Sequence, residues 1–131
     1  MSKPFVPAPG AAIVRYQVAD LDRAADFYTR SLGFREVARA GPIVAIVRGA
    51  LHLLLSGPQA SGSRPTSAGE PQTPGGWNRI VLYVDDLDAS IAELGKAHFR
   101  NEIQSGPGGR QILLDDPDGN PIELHEAPKA A

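Results

Sequence analysis

Seven polar side chains stand at alternate positions within otherwise apolar, strand-like runs: Arg15, Gln17, His52, Arg79, Tyr83, Glu123 and His125. Their types suit three kinds of chemistry. Histidine and glutamate are the usual proton-transfer groups and both ligate divalent metals. Arginine is a permanent cation whose planar donor fork matches a carboxylate. Trp77 and Tyr83 offer rings on which a planar or heteroaromatic ligand can stack, and Asn101, Gln104 and Gln111 add amide donors and acceptors. The expected ligand-binding set is therefore Arg15, Gln17, His52, Trp77, Arg79, Tyr83, Gln104, Gln111 and Glu123, with His52 and Glu123 as candidate catalytic bases.

The elements that must position these residues are written twice. Val18-Ala19-Asp20-Leu21-Asp22-Arg23-Ala24 and Val84-Asp85-Asp86-Leu87-Asp88-Ala89-Ser90 lie 66 residues apart, from 18 to 84 and from 20 to 86, about half of the 131-residue chain. Neither copy is long enough to bury an apolar face alone, so pairing is expected to create a shared surface. Ala12–Val18 alternates as a strand, with Val14, Tyr16 and Val18 on one face and Ile13, Arg15 and Gln17 on the other. Asp20 is placed to cap a helix whose apolar stripe is Leu21, Ala24, Ala25, Tyr28 and Leu32, ending at Gly33. Two strands are then readable, at Pro42–Val47 and Leu51–Leu55, around a turn at Arg48-Gly49-Ala50.

The second copy has a strand over Arg79–Val84 and a helix capped by Asp86. Short strands follow near Glu102–Gln104, Gln111–Leu114 and Pro121–His125. The unit reads as strand, helix and three strands. The expected organisation is one domain over residues 1–131, with modules at 12–55 and 77–126 joined by a Gly/Pro/Ser linker at 56–76. Residues 1–10, with three prolines and a glycine, read as a tail or short arm.

Bulk properties narrow the function. A net charge of −2 without a Lys/Arg cluster argues against nucleic acid or an anionic membrane as partner. No apolar run approaches the length of a membrane span, and no secretory signal precedes the first strand, so a cytoplasmic location is expected. The absence of cysteine excludes disulfides, thiolate nucleophiles and sulfur-ligated zinc. The acidic run Asp115–Asn120 lacks the sixth-position glycine and twelfth-position glutamate of a calcium loop, and turn chemistry accounts for it. Gly106-Pro107-Gly108-Gly109 lacks the lysine and helix of a phosphate loop and reads as a hairpin turn.

Two motifs carry a family resemblance. Val18-Ala19-Asp20-Leu21-Asp22-Arg23-Ala24-Ala25-Asp26-Phe27-Tyr28, followed by Leu32-Gly33-Phe34, resembles the opening of the glyoxalase, bleomycin-resistance and extradiol-dioxygenase (vicinal oxygen chelate) superfamily. Asp116-Pro117-Asp118-Gly119-Asn120-Pro121-Ile122-Glu123-Leu124 resembles its closing motif. The resemblance spans about residues 12–126. It implies an α+β fold of two tandem βαβββ modules, whose curled mixed sheets form a cleft, in a homodimer. It also implies four metal-ligand positions, one five residues before each module's opening valine and one in each module's last strand. They fall on Ile13, His52, Arg79 and Glu123.

Isoleucine cannot ligate, and a guanidinium repels a dication while offering its fork to Glu123. The expectation is no metal and no cofactor. The leading reading is a metal-independent small-molecule-binding protein resembling bleomycin-resistance proteins, with antibiotic resistance as its setting. The alternative is a glyoxalase- or dioxygenase-like lyase, isomerase or dioxygenase. It would either be metal-dependent with an unorthodox site or metal-free with His52 or Glu123 as base.

Overall fold

A computed structural model describes residues 9–129; the first eight residues of the expected N-terminal arm lie outside them. The chain divides into two compact units, Met1–Pro74 and Gly75–Ala131. In the first, the order is β1 (Ile13–Gln17), α1 (Leu21–Ser31), β2 (Arg35–Ala40), β3 (Ile43–Arg48) and β4 (Leu51–Ser56). The four strands form an open sheet in the order β1-β4-β3-β2, parallel at β1/β4 and antiparallel elsewhere.

Local chemistry explains the start and end of α1. The Asp20 carboxylate accepts the Arg23 backbone N–H at 3.1 Å, and Gly33, with φ of +72°, turns the chain so that Phe34 N–H reaches the Tyr28 carbonyl at 3.1 Å. Ala24 and Ala25 are buried, so small side chains let the helix approach the sheet. Tyr28 then meets Phe27 and Phe34 edge-on over Val44, Ile46, Leu53 and Leu55.

The second unit contains β5 (Ile80–Tyr83), α2 (Leu87–Leu94), β6 (His98–Phe99), β7 (Gln104–Gly106), β8 (Gly109–Asp115) and β9 (Pro121–Glu126). Its open sheet runs β5-β9-β8-β6, with β7 also pairing with β8. Again the first and last strands are parallel neighbours. Ile80, Leu82, Ile112, Leu114, Ile122 and Leu124 form the buried face, with Leu87 of α2 fully buried. Asp86 caps α2 through the Ala89 N–H at 3.0 Å. Glu126 adds a second tie across the unit, taking the Leu87 N–H at 3.0 Å while Arg110 bridges it to Asp88.

Two strand expectations need correction. The segment after Gly33 is a full edge strand, β2. Its sequence, Arg-Glu-Val-Ala-Arg-Ala, is too polar to show a buried face, and a register shift between Glu36 and Ala38 breaks its alternation. The strand placed at Glu102–Gln104 is replaced by two shorter pieces, β6 and β7. The intervening stretch leaves the ladder, and Asn101 Oδ1 accepts the Leu113 N–H at 2.9 Å where a strand partner would.

The turn between β7 and β8 folds back tightly onto β9. A Cβ at Gly109, whose φ is +114°, would lie 2.0 Å from the Glu126 carbonyl oxygen, whereas one at Gly119, with φ of +85°, would meet nothing within 4 Å. Gly119→Ala is therefore expected to cost about 1 kcal/mol of stability, from backbone strain alone. Gly109→Ala should cost several times more, roughly 3 kcal/mol or above, because backbone must move. Chemical denaturation of the two variants side by side checks the ranking.

Candidate functional site

In the first unit the β1/β4 register sets Ile13 beside His52, Arg15 beside Leu54 and Gln17 beside Ser56. Two of these expected ligand-binding residues hold the chain's own continuation. Arg15 Nη1 donates to Ser56 Oγ at 2.8 Å. Gln17 Nε2 donates to the Gly62 carbonyl at 2.7 Å, and Gln17 Oε1 accepts from Ser63 Oγ at 2.5 Å. The 3-10 turn at Ser61–Ser63 thus docks on β1, and a Cβ on Gly62 would lie 2.0 Å from the Arg15 guanidinium. His52 is half-buried on the same strand face, between Ile13 and Val47 in the register.

The second unit gathers more of the expected set. In its sheet, Val81 is registered with Glu123 and then Leu113. The next row is Tyr83, His125, Gln111 and Gln104. Arg79, just before β5, reaches Glu123 as the sequence suggests, but its fork converges on one oxygen, with Nε at 3.1 Å and Nη2 at 2.9 Å from Oε1. The other oxygen, Oε2, faces His125 Nδ1 at 2.9 Å, and His125 Nε2 faces the Gly108 carbonyl at 2.8 Å. Tyr83 lies against the imidazole, with ring centroids 4.8 Å apart.

This geometry sets the charge state. A carbonyl oxygen can only accept, and so can an ionised carboxylate, so both imidazole nitrogens have a use for a proton. The Glu123 hydrogen bond, reinforced by the Gly108 carbonyl, raises the His125 pKa above its ordinary value against a smaller opposing effect of burial. For Glu123, burial alone would push the pKa up, but hydrogen bonds from His125 and Arg79 and the guanidinium charge outweigh it and leave the group lowered. With both oxygens committed and only 7% exposed, Glu123 is a poor general base.

Trp77 stands apart from this row. The residue is 70% exposed, and the Arg100 guanidinium lies over its ring, 4.7 Å from the centroid. Arg100 is itself fixed by Asp115, Gly76 and Gly119. Gly76, Trp77, His98, Phe99 and Arg100 line an open depression of about 500 Å³.

His125 falls on the relevant strand face but outside the expected binding set, although its position two residues after Glu123 is the available signal. The roles of the Gly108 carbonyl and Arg100 had no sequence signal. The Asp116–Asn120 turn is accounted for internally, with the Asp116 carboxylate accepting from the Asp118 and Asn120 backbones and the Asn120 amide.

A family model for the Glyoxalase/Bleomycin resistance protein/Dioxygenase superfamily matches residues 11–124. The chain belongs to this superfamily. Among solved structures it is similar to a lactoylglutathione lyase from Agrobacterium tumefaciens, at 26% identity and a TM-score of 0.64, covering 90% of this chain and 95% of that one. TnmS3, an antibiotic binding protein from Streptomyces sp. CB03234, is 24% identical with a TM-score of 0.65, covering 93% and 100%. The fosfomycin resistance protein FosX from Mesorhizobium loti is 21% identical with a TM-score of 0.66, covering 93% and 95%. No curated protein matches the chain.

The metal positions implied for the superfamily do not fit a divalent ion in this member. Ile13 has no donor atom, Arg79 is a cation, and both Glu123 oxygens are held by other side chains. Among the described residues, no group of three or more His, Cys, Asp or Glu is placed to hold a metal. No helix of the described residues is long and apolar enough to cross a membrane.

The trio of Arg79, Glu123 and His125 makes stability depend on pH in two directions. The raised His125 pKa contributes stability fully present below its ordinary value of 6.5, which is lost as pH rises through the raised value. The lowered Glu123 pKa contributes stability present above 4.5, which is lost as pH falls through the lowered value. Melting temperatures of the parent and His125→Gln should therefore differ most near pH 5–6 and converge on the alkaline side.

Proposed function

We propose that this protein captures a small molecule without metal and without turnover, on the strand face carrying Arg79, Glu123 and His125. One observation carries the reading. Arg79 occupies a position where the family resemblance implies a metal ligand, and it closes on Glu123, which His125 completes from the other side. An arrangement with its carboxylate spent and its cations partly outward suits recognition better than proton abstraction. The antibiotic-binding and antibiotic-resistance roles carried by TnmS3 and FosX support the same class of activity, with a resistance setting. The reading includes a cytoplasmic homodimer.

A second reading, an enzyme of lyase, isomerase or dioxygenase type, draws support from the lactoylglutathione lyase likeness. With Glu123 committed, His52 is its better candidate base.

Elemental analysis separates the two metal states. Untagged protein dialysed in turn with Mn, Fe, Ni and Zn is expected to retain no stoichiometric metal, and one tightly held equivalent would overturn the proposal. Arg79→Ala should lower stability by about 1–2 kcal/mol, since one Glu123 oxygen loses its partner while His125 keeps the other. Denaturant titration measures this, and an unchanged midpoint would contradict a structural role for the clamp.

A further inference from the structure

Capture on this face needs a ligand whose charge and shape match it, and the second unit defines both. Arg79 and His125 share the single carboxylate of Glu123, so the trio is one positive charge in excess while His125 is protonated. The other carboxylate on this side of the sheet, Asp115, is already bound by Arg100 and His98. The Arg79 guanidinium has five N–H donors, and its contacts with Glu123 and the Trp77 carbonyl leave some of them unspent. Apolar surface lies alongside. Tyr83, 60% exposed, lies against His125 with its ring tilted by 38°, and Val81, 45% exposed, precedes it on the same strand face.

From this juxtaposition we infer that the ligand is a planar aromatic anion, an aryl carboxylate or phenolate, with its ring over Tyr83 and Val81 and its charge toward Arg79 and His125. The inference rests on the capture reading and narrows it to a ligand class. Neutral aromatics share the stacking but not the charge, and aromatic cations meet repulsion from the same two groups.

The test holds shape constant and varies charge. Calorimetric titration of the parent with 1-naphthoate, 1-naphthamide and 1-naphthylmethylammonium should give affinities in that order, with the anion about tenfold or more tighter than the amide. The groups facing His125 are Glu123, Arg79 through that carboxylate, Tyr83, Gln111 and the Gly108 carbonyl. The His125 imidazole, raised above its ordinary value by Glu123 and the Gly108 carbonyl, loses its charge as pH is taken from 6 to 9. The preference for the anion should therefore shrink over that range, whereas in His125→Gln it should be weak and flat with pH, meeting the parent's on the alkaline side. Equal binding of all three probes would overturn the anionic class and leave capture standing. Tighter binding of the cation would do the same. Binding of none at millimolar concentration would overturn both the ligand class and capture on this face.

Discussion

The carboxylate of Glu123 is the constraint on which the second unit's site depends. A carboxylate that is 7% exposed carries a large desolvation cost unless its charge is matched. Here the match is divided: one oxygen takes two donors from Arg79 and the other faces His125. Each partner thereby acquires a fixed position. Arg79 is drawn along the start of β5, and His125 is left with its second nitrogen against the Gly108 carbonyl. The charge state of the face then follows from hydrogen-bond geometry, not from the number of titratable groups present.

That geometry depends on two features of the backbone. Parallel pairing of β5 with β9 puts Val81 beside Glu123 and Tyr83 beside His125, so a two-residue period in each strand is enough to assemble the row. The close approach of Gly109 to Glu126, which leaves no room for a Cβ, brings the β7–β8 turn over β9 and its Gly108 carbonyl to the imidazole. The first unit has the same strand plan and a different outcome. Its β1 polar residues hold the turn at Ser61–Ser63, so Arg15 and Gln17 serve the chain's own packing.

Much of the fold was legible because the signals were local. Asp20 and Asp86 each precede an apolar helical stripe and each accepts a first-turn N–H as a cap should. Within the expected strand over Arg79–Val84, Ile80 and Leu82 are buried and Val81 and Tyr83 exposed, as a two-residue period requires. What failed was equally local in cause. β2 is a polar edge strand with a register shift, and the β6–β7 region is held by an asparagine side chain where regular pairing would leave a strand pattern. For the site, the Arg79–Glu123 pair was readable from residue types, once the family resemblance set the two positions. The sharing of that carboxylate with His125, and the use of Arg15 and Gln17 in anchoring, depend on tertiary contacts with Gly108 and Gly62, which no sequence period encodes.

The central claim is that His125 is held as an imidazolium between Glu123 and Gly108. Nitrogen-15 NMR of the histidine side chains, followed as a function of pH, tests it most directly. His125 is expected to titrate above the ordinary histidine value of 6.5, with protons on both ring nitrogens on the acid side of its midpoint. A midpoint at or below 6.5 would contradict it.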